Sequence, residues 1–237
     1  MSSDLVYGRR AVREALRGGR EVLEVLATER AVAAEDWLGE ARPKVRPERA
    51  LSELAGTRDH QGVVARVEPY RYADAYALAA SPNPLLAVLD RITDPRNLGA
   101  VCRSAEGAGA TGIVVPAHGS AVVTPVVARS SAGAIEHLPI AVVTNLARYL
   151  EEVKGAALWV YGAAGEAEAV MWDVDLTGGV ALVFGAEGKG LRPLVRRSCD
   201  AFVSIPSSGV VESLNVSVAA ALLLYEARRQ RRGSTGG

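Results

Sequence analysis

The sequence predicts two α/β domains in series, the second of them built on a parallel β-sheet. After residue 84, six short apolar runs rich in β-branched residues alternate mostly with helical patterns. Continuous apolar strands of this kind are typical of a parallel sheet with both faces covered. The preceding stretch has no clear periodicity and ends in the firm break Pro82-Asn83-Pro84. We therefore expect domains over residues 1–68 and 84–237, joined by a linker over residues 69–83.

The first domain combines short amphipathic helices with apolar strands, which favours a small α/β fold. Its predicted elements are a helix at Arg9–Arg17, a strand at Val22–Ala27, helices at Ala33–Glu40 and Pro47–Ala55, and a strand at Gly62–Val67. One side of the first helix carries Arg9, Arg10, Arg13 and Arg17. Such a helix face usually does no more than face solvent. The alternative interpretation is that it contacts phosphate groups.

The apolar runs of the second domain give its predicted strands, at residues 85–90, 112–116, 138–143, 157–162, 180–185 and 201–206. Ligands of such sheets bind in loops at the carboxyl ends of the strands. A helix follows the last strand, and its apolar residues recur every three to four positions to form one face, at Leu214, Val218, Leu222 and Tyr225. The polar residues at its start favour helix capping.

Composition excludes several classes of protein. The chain has 237 residues, of which 27 are basic and 27 acidic, and a formal net charge of zero argues against a general nucleic-acid coat protein. No apolar run is long enough to span a bilayer, and MSSDLVYGRR lacks an apolar signal region, so we expect a cytosolic protein. Two cysteines and three scattered histidines show no metal-ligand spacing, so we expect no metal site.

The stretch DRITDPRNLGAVCRSAEGAGA, residues 90–110, predicts a capped helix that begins at Asp94-Pro95. Arg96 and Arg103 are seven residues apart and share one helix face. There they either meet solvent or clamp an anion at the edge of the sheet. Cys102 falls among the core-facing positions, so we interpret it as a small buried hydrophobe rather than a nucleophile.

Two glycine-rich stretches have different interpretations. Residues 107–112 match G-x-G-x-x-G, but a helix precedes them and a strand follows, which excludes a dinucleotide site and indicates a helix end. Residues 184–191, FGAEGKGL, directly follow a predicted strand. Their three glycines allow tight turns and close approach of the backbone to a ligand. A P-loop is excluded, because Gly190 rather than Ser or Thr follows Lys189.

Three stretches together resemble, in order and spacing, the motifs of the SpoU (TrmH-like) family of RNA ribose 2′-O-methyltransferases, part of the SPOUT class. They are DPRNLGAVCRSAEGAGA, LVFGAEGKGL and SIPSSGVVESLNVSVAAALLLYEA. This resemblance covers residues 84–232. In the first domain, YGRRAVREAL and HQGVVARVE resemble the small RNA-binding domain of the family branch that modifies ribosomal RNA, which is similar to a ribosomal-protein fold.

The resemblance implies a C-terminal trefoil knot, a homodimer, and S-adenosylmethionine held by backbone groups of the knot loops. The cofactor-binding positions that match are Gly185, Ile205 and Leu214. The family's catalytic positions fall on Asn97, Arg103, Glu187, Ser213 and Asn215. We expect contacts with RNA at Arg9, Arg10, Arg13 and Arg96.

The implied reaction is attack of a ribose 2′-oxygen on the methyl group of a sulfonium, so the protein has to position the reactants and help to remove a proton. The resemblance makes Arg103 the centre, either binding the adjacent phosphate and stabilising the oxyanion or taking the proton itself. Family grounds favour a guanosine of 23S ribosomal RNA as the target. The alternatives are a tRNA methyltransferase, a resistance methyltransferase acting on another nucleotide, and a non-enzymatic RNA-binding protein.

Overall fold

A computed structural model of the protein describes residues 3–155, 157–209 and 214–233. In chain order its strands and helices are β1 (Asp4–Tyr7), α1 (Arg9–Arg17), β2 (Val22–Ala27), α2 (Glu29–Ala34), α3 (Asp36–Ala41), β3 (Lys44–Val45), α4 (Glu48–Ala55), β4 (Val63–Val67), α5 (Ala75–Ala79), β5 (Leu85–Asp90), α6 (Pro95–Ala108), β6 (Gly112–Pro116), α7 (Pro125–Ser130), β7 (Ile140–Val143), α8 (Leu146–Val153), β8 (Trp159–Ala163), β9 (Val180–Gly185), α9 (Pro193–Arg197), β10 (Ala201–Val203) and α10 (Val216–Gly233). The chain divides into two compact units: unit 1 takes the residues up to Arg71 together with Val122–His137, and unit 2 takes the remainder.

Unit 1 is built on a four-stranded sheet in the order β1-β4-β2-β3. The strands β1 and β2 run antiparallel to β4, and β3 runs parallel to β2. The predicted helix at Ala33–Glu40 is wrong, because an extended Glu35 separates α2 from α3 (φ −136°). Helix α7, although distant in sequence, packs against β1 as part of this unit.

Unit 2 is built on six strands in the order β10-β8-β9-β5-β6-β7, and every neighbouring pair is parallel. This confirms the predicted parallel α/β sheet. Every residue of β5 and β6 is buried, as expected for strands covered on both faces. The stretch expected to be a linker contains helix α5, which Asp74 caps by accepting hydrogen bonds from the backbone of Tyr76 and Ala77.

Helix α6 has the predicted caps. The Asp94 side chain accepts a hydrogen bond from Arg96 N at 2.8 Å, and Pro95 occupies the first helical position. The helix ends at Gly109, whose φ of +77° places it in the left-handed region. Strand β6 follows directly, which confirms that this glycine run is a helix end.

Helix α10 buries one face and exposes another. Its buried apolar side chains are small or branched, namely Val216, Ala220, Leu223, Leu224 and Ala227. The predicted apolar face is instead exposed, with relative exposures of 42% for Leu214, 46% for Val218, 41% for Leu222 and 50% for Tyr225. We call these four residues the exposed stripe. Across the described ranges, no helix combines the length and apolar character needed to cross a membrane.

Candidate active site

Unit 2 has a cavity of about 670 Å³ at the carboxyl edge of its sheet. Its walls come from the residues that follow β8, β9 and β10 and from the beginning of α10. Gly185, Ile205 and Leu214, the three positions expected to bind the cofactor, all line it. The fold thus brings together residues from two motifs at the edge where parallel α/β sheets bind ligands.

The wall after β9 depends on the absence of a side chain at Gly185. A Cβ atom there would collide with backbone atoms of Gly190 and Leu191. Ala186 and Gly190 form an isolated antiparallel bridge, and Gly188 and Gly190 have φ values of +68° and +64°. Residues 186–190 therefore form a tight loop that folds back onto the strand end, and its backbone faces the cavity.

Three polar side chains meet beside this cavity. Asn97 Nδ2 donates to Glu187 Oε1 at 3.3 Å, and Asn215 Nδ2 donates to the same oxygen at 2.5 Å. Asn215 Nδ2 also lies 3.2 Å from Asn97 Oδ1. Because Asn97 is on α6, Glu187 follows β9 and Asn215 precedes α10, this Asn–Glu–Asn cluster ties together three separate parts of the chain.

The start of α10 reinforces the cluster. Asn215 caps the helix, since its Oδ1 accepts hydrogen bonds from Ser217 N at 2.9 Å and from Ser217 Oγ at 2.6 Å. The backbone N–H of Val216 points to Glu187 Oε1 at 3.4 Å. The positive end of the helix dipole thus stabilises the Glu187 carboxylate.

A partly buried ion pair anchors the other end of the same loop. Asp90, the last residue of β5, has a side chain with 0% exposure. Its Oδ2 accepts from Arg192 N at 2.9 Å and its Oδ1 from Arg192 Nε at 2.7 Å. Sequence reasoning missed this pair, although an aspartate at the end of an otherwise apolar strand signals a buried charge that needs a partner.

The lining of the cavity includes a charged pair that the motifs did not indicate. Arg196 Nη1 lies 2.9 Å from Glu166 Oε1, and both residues line the cavity. The Arg196 guanidinium also lies 4.3 Å from the centre of the Phe202 ring. No sequence pattern predicted this pair, because its members come from different connections of the sheet.

The structure places the remaining site residues apart from the Asn–Glu–Asn cluster. Arg96 and Arg103 are exposed on α6, and neither forms a hydrogen bond or ion pair through its side chain within the described ranges. Ser213 lies outside the described residues. Two guanidinium groups without a partner are available to bind an anion.

The other expected RNA-binding residues lie in unit 1. Arg9 is held, because its Nη1 donates to Glu35 Oε1 at 3.0 Å and its Nε donates to the Gln61 carbonyl at 3.3 Å. Arg10 and Arg13 are exposed on α1. The structure therefore separates one anchored arginine from two that face solvent.

Both cysteines are free thiols, Cys102 buried and Cys199 half-buried. Cys102 has no exposure, and burial raises its pKa to about 12. Burial, followed by the nearby Asp200 charge, raises the pKa of Cys199 to about 12 as well. Both are protonated at neutral pH, which confirms that Cys102 belongs to the core rather than to a nucleophilic site. Among the residues that the structure describes, no three His, Cys, Asp or Glu side chains are grouped to hold a metal ion.

The fold and this site define an α/β protein with a cavity, lined in part by glycine-rich backbone, at the carboxyl edge of a parallel sheet. The sequence model of the SpoU rRNA Methylase family matches residues 84–225, so the chain belongs to that family. A second model, for RNA 2′-O ribose methyltransferase substrate binding, matches residues 5–73. The chain is accordingly an RNA ribose 2′-O-methyltransferase, and its cofactor is S-adenosylmethionine.

Individual relatives agree with this assignment. The chain is 45% identical over 217 residues to the 23S rRNA (guanosine-2′-O-)-methyltransferase RlmB of Pseudomonas putida, covering 82% of this chain and 88% of the relative. The SpoU methyltransferase AviRb of Streptomyces viridochromogenes, solved with AdoMet, superposes with a TM-score of 0.81 at 30% identity, over 98% of this chain and 91% of that one. A crystal structure of an RNA 2′-O ribose methyltransferase superposes with a TM-score of 0.82 at 34% identity, over 96% of this chain and 88% of that one.

The residues of the cavity fit this cofactor. The tight loop at 186–190 presents backbone rather than bulky side chains, which suits a polar ligand gripped by N–H and C=O groups. Apolar side chains from Phe184, Leu191, Val203 and Leu214 line the same space and suit a purine ring.

Proposed function

We propose that this chain methylates the ribose 2′-oxygen of a guanosine in 23S ribosomal RNA. The observation that carries the proposal is the 45% identity to the Pseudomonas putida RlmB over most of both chains. The cavity and the Asn–Glu–Asn cluster supply a site in which that chemistry can be organised. We propose a cytoplasmic location for this reaction, because its proposed substrate is ribosomal RNA.

Gly185, Ile205 and Leu214 hold the cofactor in this proposal, and all three line the same cavity. When bound, S-adenosylmethionine supplies an electrophilic methyl group. The task of this chain is then to orient the ribose hydroxyl and to stabilise the charge that develops on its oxygen.

In our proposal, Arg103 stabilises the charge that develops on the ribose oxygen. Its guanidinium has no partner in the described part of the chain, so it is available to bind the adjacent RNA phosphate and to stabilise the oxyanion. Arg96 lies about two helical turns earlier on the same face and adds a second phosphate contact. Asn97, Glu187 and Asn215 position the loops around the substrate, and Ser213, outside the described residues, belongs to the same proposed set.

The proposal includes the trefoil knot and a homodimer. In support of the knot, Asn215 and Val216 both donate hydrogen bonds to Glu187, which joins the start of α10 to the loop after β9. In support of the homodimer, the exposed stripe presents four large apolar side chains, three of them on one face of α10 and that of Leu214 just before the helix. A second copy of this chain would bury that stripe in a symmetric contact.

In our proposal, residues 1–68 form an RNA-binding domain and residues 84–237 form the catalytic domain, with residues 69–83 as the linker between them. The ranges matched by the two family models, 5–73 and 84–225, support it. Arg9, Arg10 and Arg13 are the proposed RNA-binding residues of the first part, and positive charge on this surface suits a phosphate backbone.

Mapping of 2′-O-methyl groups tests the target. The 23S ribosomal RNA and the tRNA of a strain lacking the gene are compared with those of the parent and of the complemented strain. One guanosine of 23S ribosomal RNA should lose its methyl group and regain it on complementation. Loss of a tRNA methyl group instead would contradict the proposal and support the tRNA alternative. Loss of a 2′-O-methyl group from a nucleotide of 23S ribosomal RNA other than guanosine would contradict the guanosine assignment alone.

A further inference from the structure

Unit 1 contains a second cavity, of about 690 Å³, that the proposed chemistry does not use. Its charged lining residues are four arginines and two glutamates: Arg9, Arg30, Arg46, Arg58, Glu29 and Glu48. Four positive charges against two negative ones leave a net positive surface. Of the exposed arginine positions considered above, Arg10 and Arg13 do not line it. We call this space the arginine cavity.

The arginines of this cavity are available to a ligand to different degrees. Arg30 and Arg58 are exposed, and their side chains have no hydrogen-bond or ion-pair partner within the described ranges. Arg46 Nη1 donates to the neighbouring Val45 carbonyl at 2.9 Å. Arg9 is fixed by Glu35 and Gln61. The cavity therefore combines one anchored guanidinium with two free ones, an arrangement suited to several phosphates of one strand.

One wall of the arginine cavity is held rigid by buried contacts. His60 has no exposure, its Nδ1 accepts from Gly62 N at 3.0 Å, and its Nε2 lies 2.9 Å from Ser52 Oγ. Since Nδ1 is an acceptor here, the ring proton sits on Nε2 and is donated to the serine. Thr28 N donates to the Gly62 carbonyl at 2.9 Å. A wall fixed before binding lowers the entropic cost of holding RNA.

We propose that the arginine cavity is where unit 1 receives the phosphate backbone of the substrate RNA, with Arg30 and Arg58 as its principal free contacts. This inference rests on the proposed RNA methyltransferase function and assigns the RNA to a particular surface of unit 1. The outward face of α1 then contributes less, because Arg10 and Arg13 do not line the arginine cavity.

The test compares two double variants with the same change of charge in the same unit, Arg30→Gln with Arg58→Gln, and Arg10→Gln with Arg13→Gln. Binding of full-length protein to a 23S ribosomal RNA transcript is measured between 0.05 and 0.3 M salt. Each lost phosphate contact lowers the slope of log K against log salt by about 0.7 to 0.9. The first variant should therefore bind roughly 25 to 60 times more weakly than wild type at 0.1 M salt, while the second, which removes the weaker proposed contacts on α1, should lose markedly less affinity.

A third variant should change the affinity for RNA in the opposite direction. Glu29→Gln with Glu48→Gln removes the two carboxylates of the cavity and should tighten binding. Equal binding by the two arginine variants, or weaker binding by the Arg10 and Arg13 variant, would overturn the inference. Methyl transfer by the wild type to the same transcript is measured separately. If the wild type methylates the transcript but the Arg30 and Arg58 variant binds it no more weakly than the Arg10 and Arg13 variant, only this inference is contradicted. If the Arg30 and Arg58 variant binds more weakly but the wild type does not methylate the transcript, only the proposed function is contradicted.

Discussion

Arg103 is the residue on which the proposed chemistry depends most. Arg103→Ala should lower the single-turnover rate of methyl transfer by roughly 10²–10³, as for the loss of one oxyanion donor. Affinity for S-adenosylmethionine should hardly change, because Arg103 does not line the cofactor cavity. Arg103→Lys should recover only part of the rate, since an ammonium cannot reproduce the planar fork of a guanidinium.

Arg96→Ala is the matched control, because Arg96 is exposed on the same face of α6 and equally without a side-chain partner in the described chain. We expect it to weaken RNA binding and to leave the rate at saturating RNA nearly unchanged. A near-normal rate for Arg103→Ala would move the catalytic role to Glu187 or Ser213.

Gly185 offers a sharper test of the cofactor cavity. Even Gly185→Ala should weaken binding of S-adenosylmethionine by about tenfold or more, equivalent to about 1.4 kcal/mol. The reason is that the new Cβ would force the backbone of Gly190 away from the strand end. Calorimetric titration measures the change. Gly178→Ala is the control, since a Cβ there meets nothing within 4 Å. Equal affinities for the two variants would contradict the proposed cofactor site.

At the scale of elements, the ion pair between Asp90 and Arg192 connects β5 to the start of α9. Arg192→Ala should destabilise the protein more than Asp90→Asn, because it leaves a buried carboxylate with one backbone partner. Both variants should weaken cofactor binding by loosening the loop at 186–190. Urea unfolding and calorimetry measure the two effects. Asp173→Asn, an exposed substitution in the same unit, is the control, and a wild-type affinity in Asp90→Asn would show that the pair serves stability alone.

The elements also show what local sequence can predict. Helix α1 and strands β2, β5, β6 and β9 have the predicted bounds, because caps, glycines and apolar runs mark their ends. Strands β1 and β3 were missed, since four and two residues carry too little periodicity and depend on pairing with β4 and β2. The sequence around the single helix predicted at Ala33–Glu40 contains no pattern that indicates the extended Glu35, which separates α2 from α3.

Helix α10 shows a different limit. It has apolar residues on two faces, and periodicity alone cannot say which face meets the core. The structure buries small and branched residues such as Ala220 and Ala227 against the rest of unit 2, and it leaves the larger Leu222 and Tyr225 outside. Small residues allow helices to approach closely, and α10 packs against α6.

For the whole molecule, the parallel sheet was predictable because each strand is a continuous apolar run. The composition of unit 1 was not, since residues 122–137 join it from a distant part of the sequence. Similarly, the motifs identified Asn97, Glu187 and Asn215 as separate site residues. Their mutual hydrogen bonds could not be predicted, because they depend on tertiary structure that brings three separate segments together. Asp90 and Arg192 were missed for the same reason.

The exposed stripe leads to a prediction about assembly. If two copies meet across a two-fold axis at α10, the same apolar side chains face one another, and a charge placed there is repeated in both copies. Leu222→Glu should therefore convert a dimer to a monomer, because two carboxylates would be buried in one apolar contact. Sedimentation velocity at several protein concentrations measures the change.

Leu194→Glu is the matched control, because Leu194 is even more exposed, at 59%, but lies on α9 outside the stripe. It should leave the mass in solution unchanged. Circular dichroism should show that both variants are folded, since each substitution adds a charge to a side chain that already meets solvent. A dimer that persists in Leu222→Glu, or a wild-type protein that sediments as a monomer at every concentration, would contradict an α10 interface.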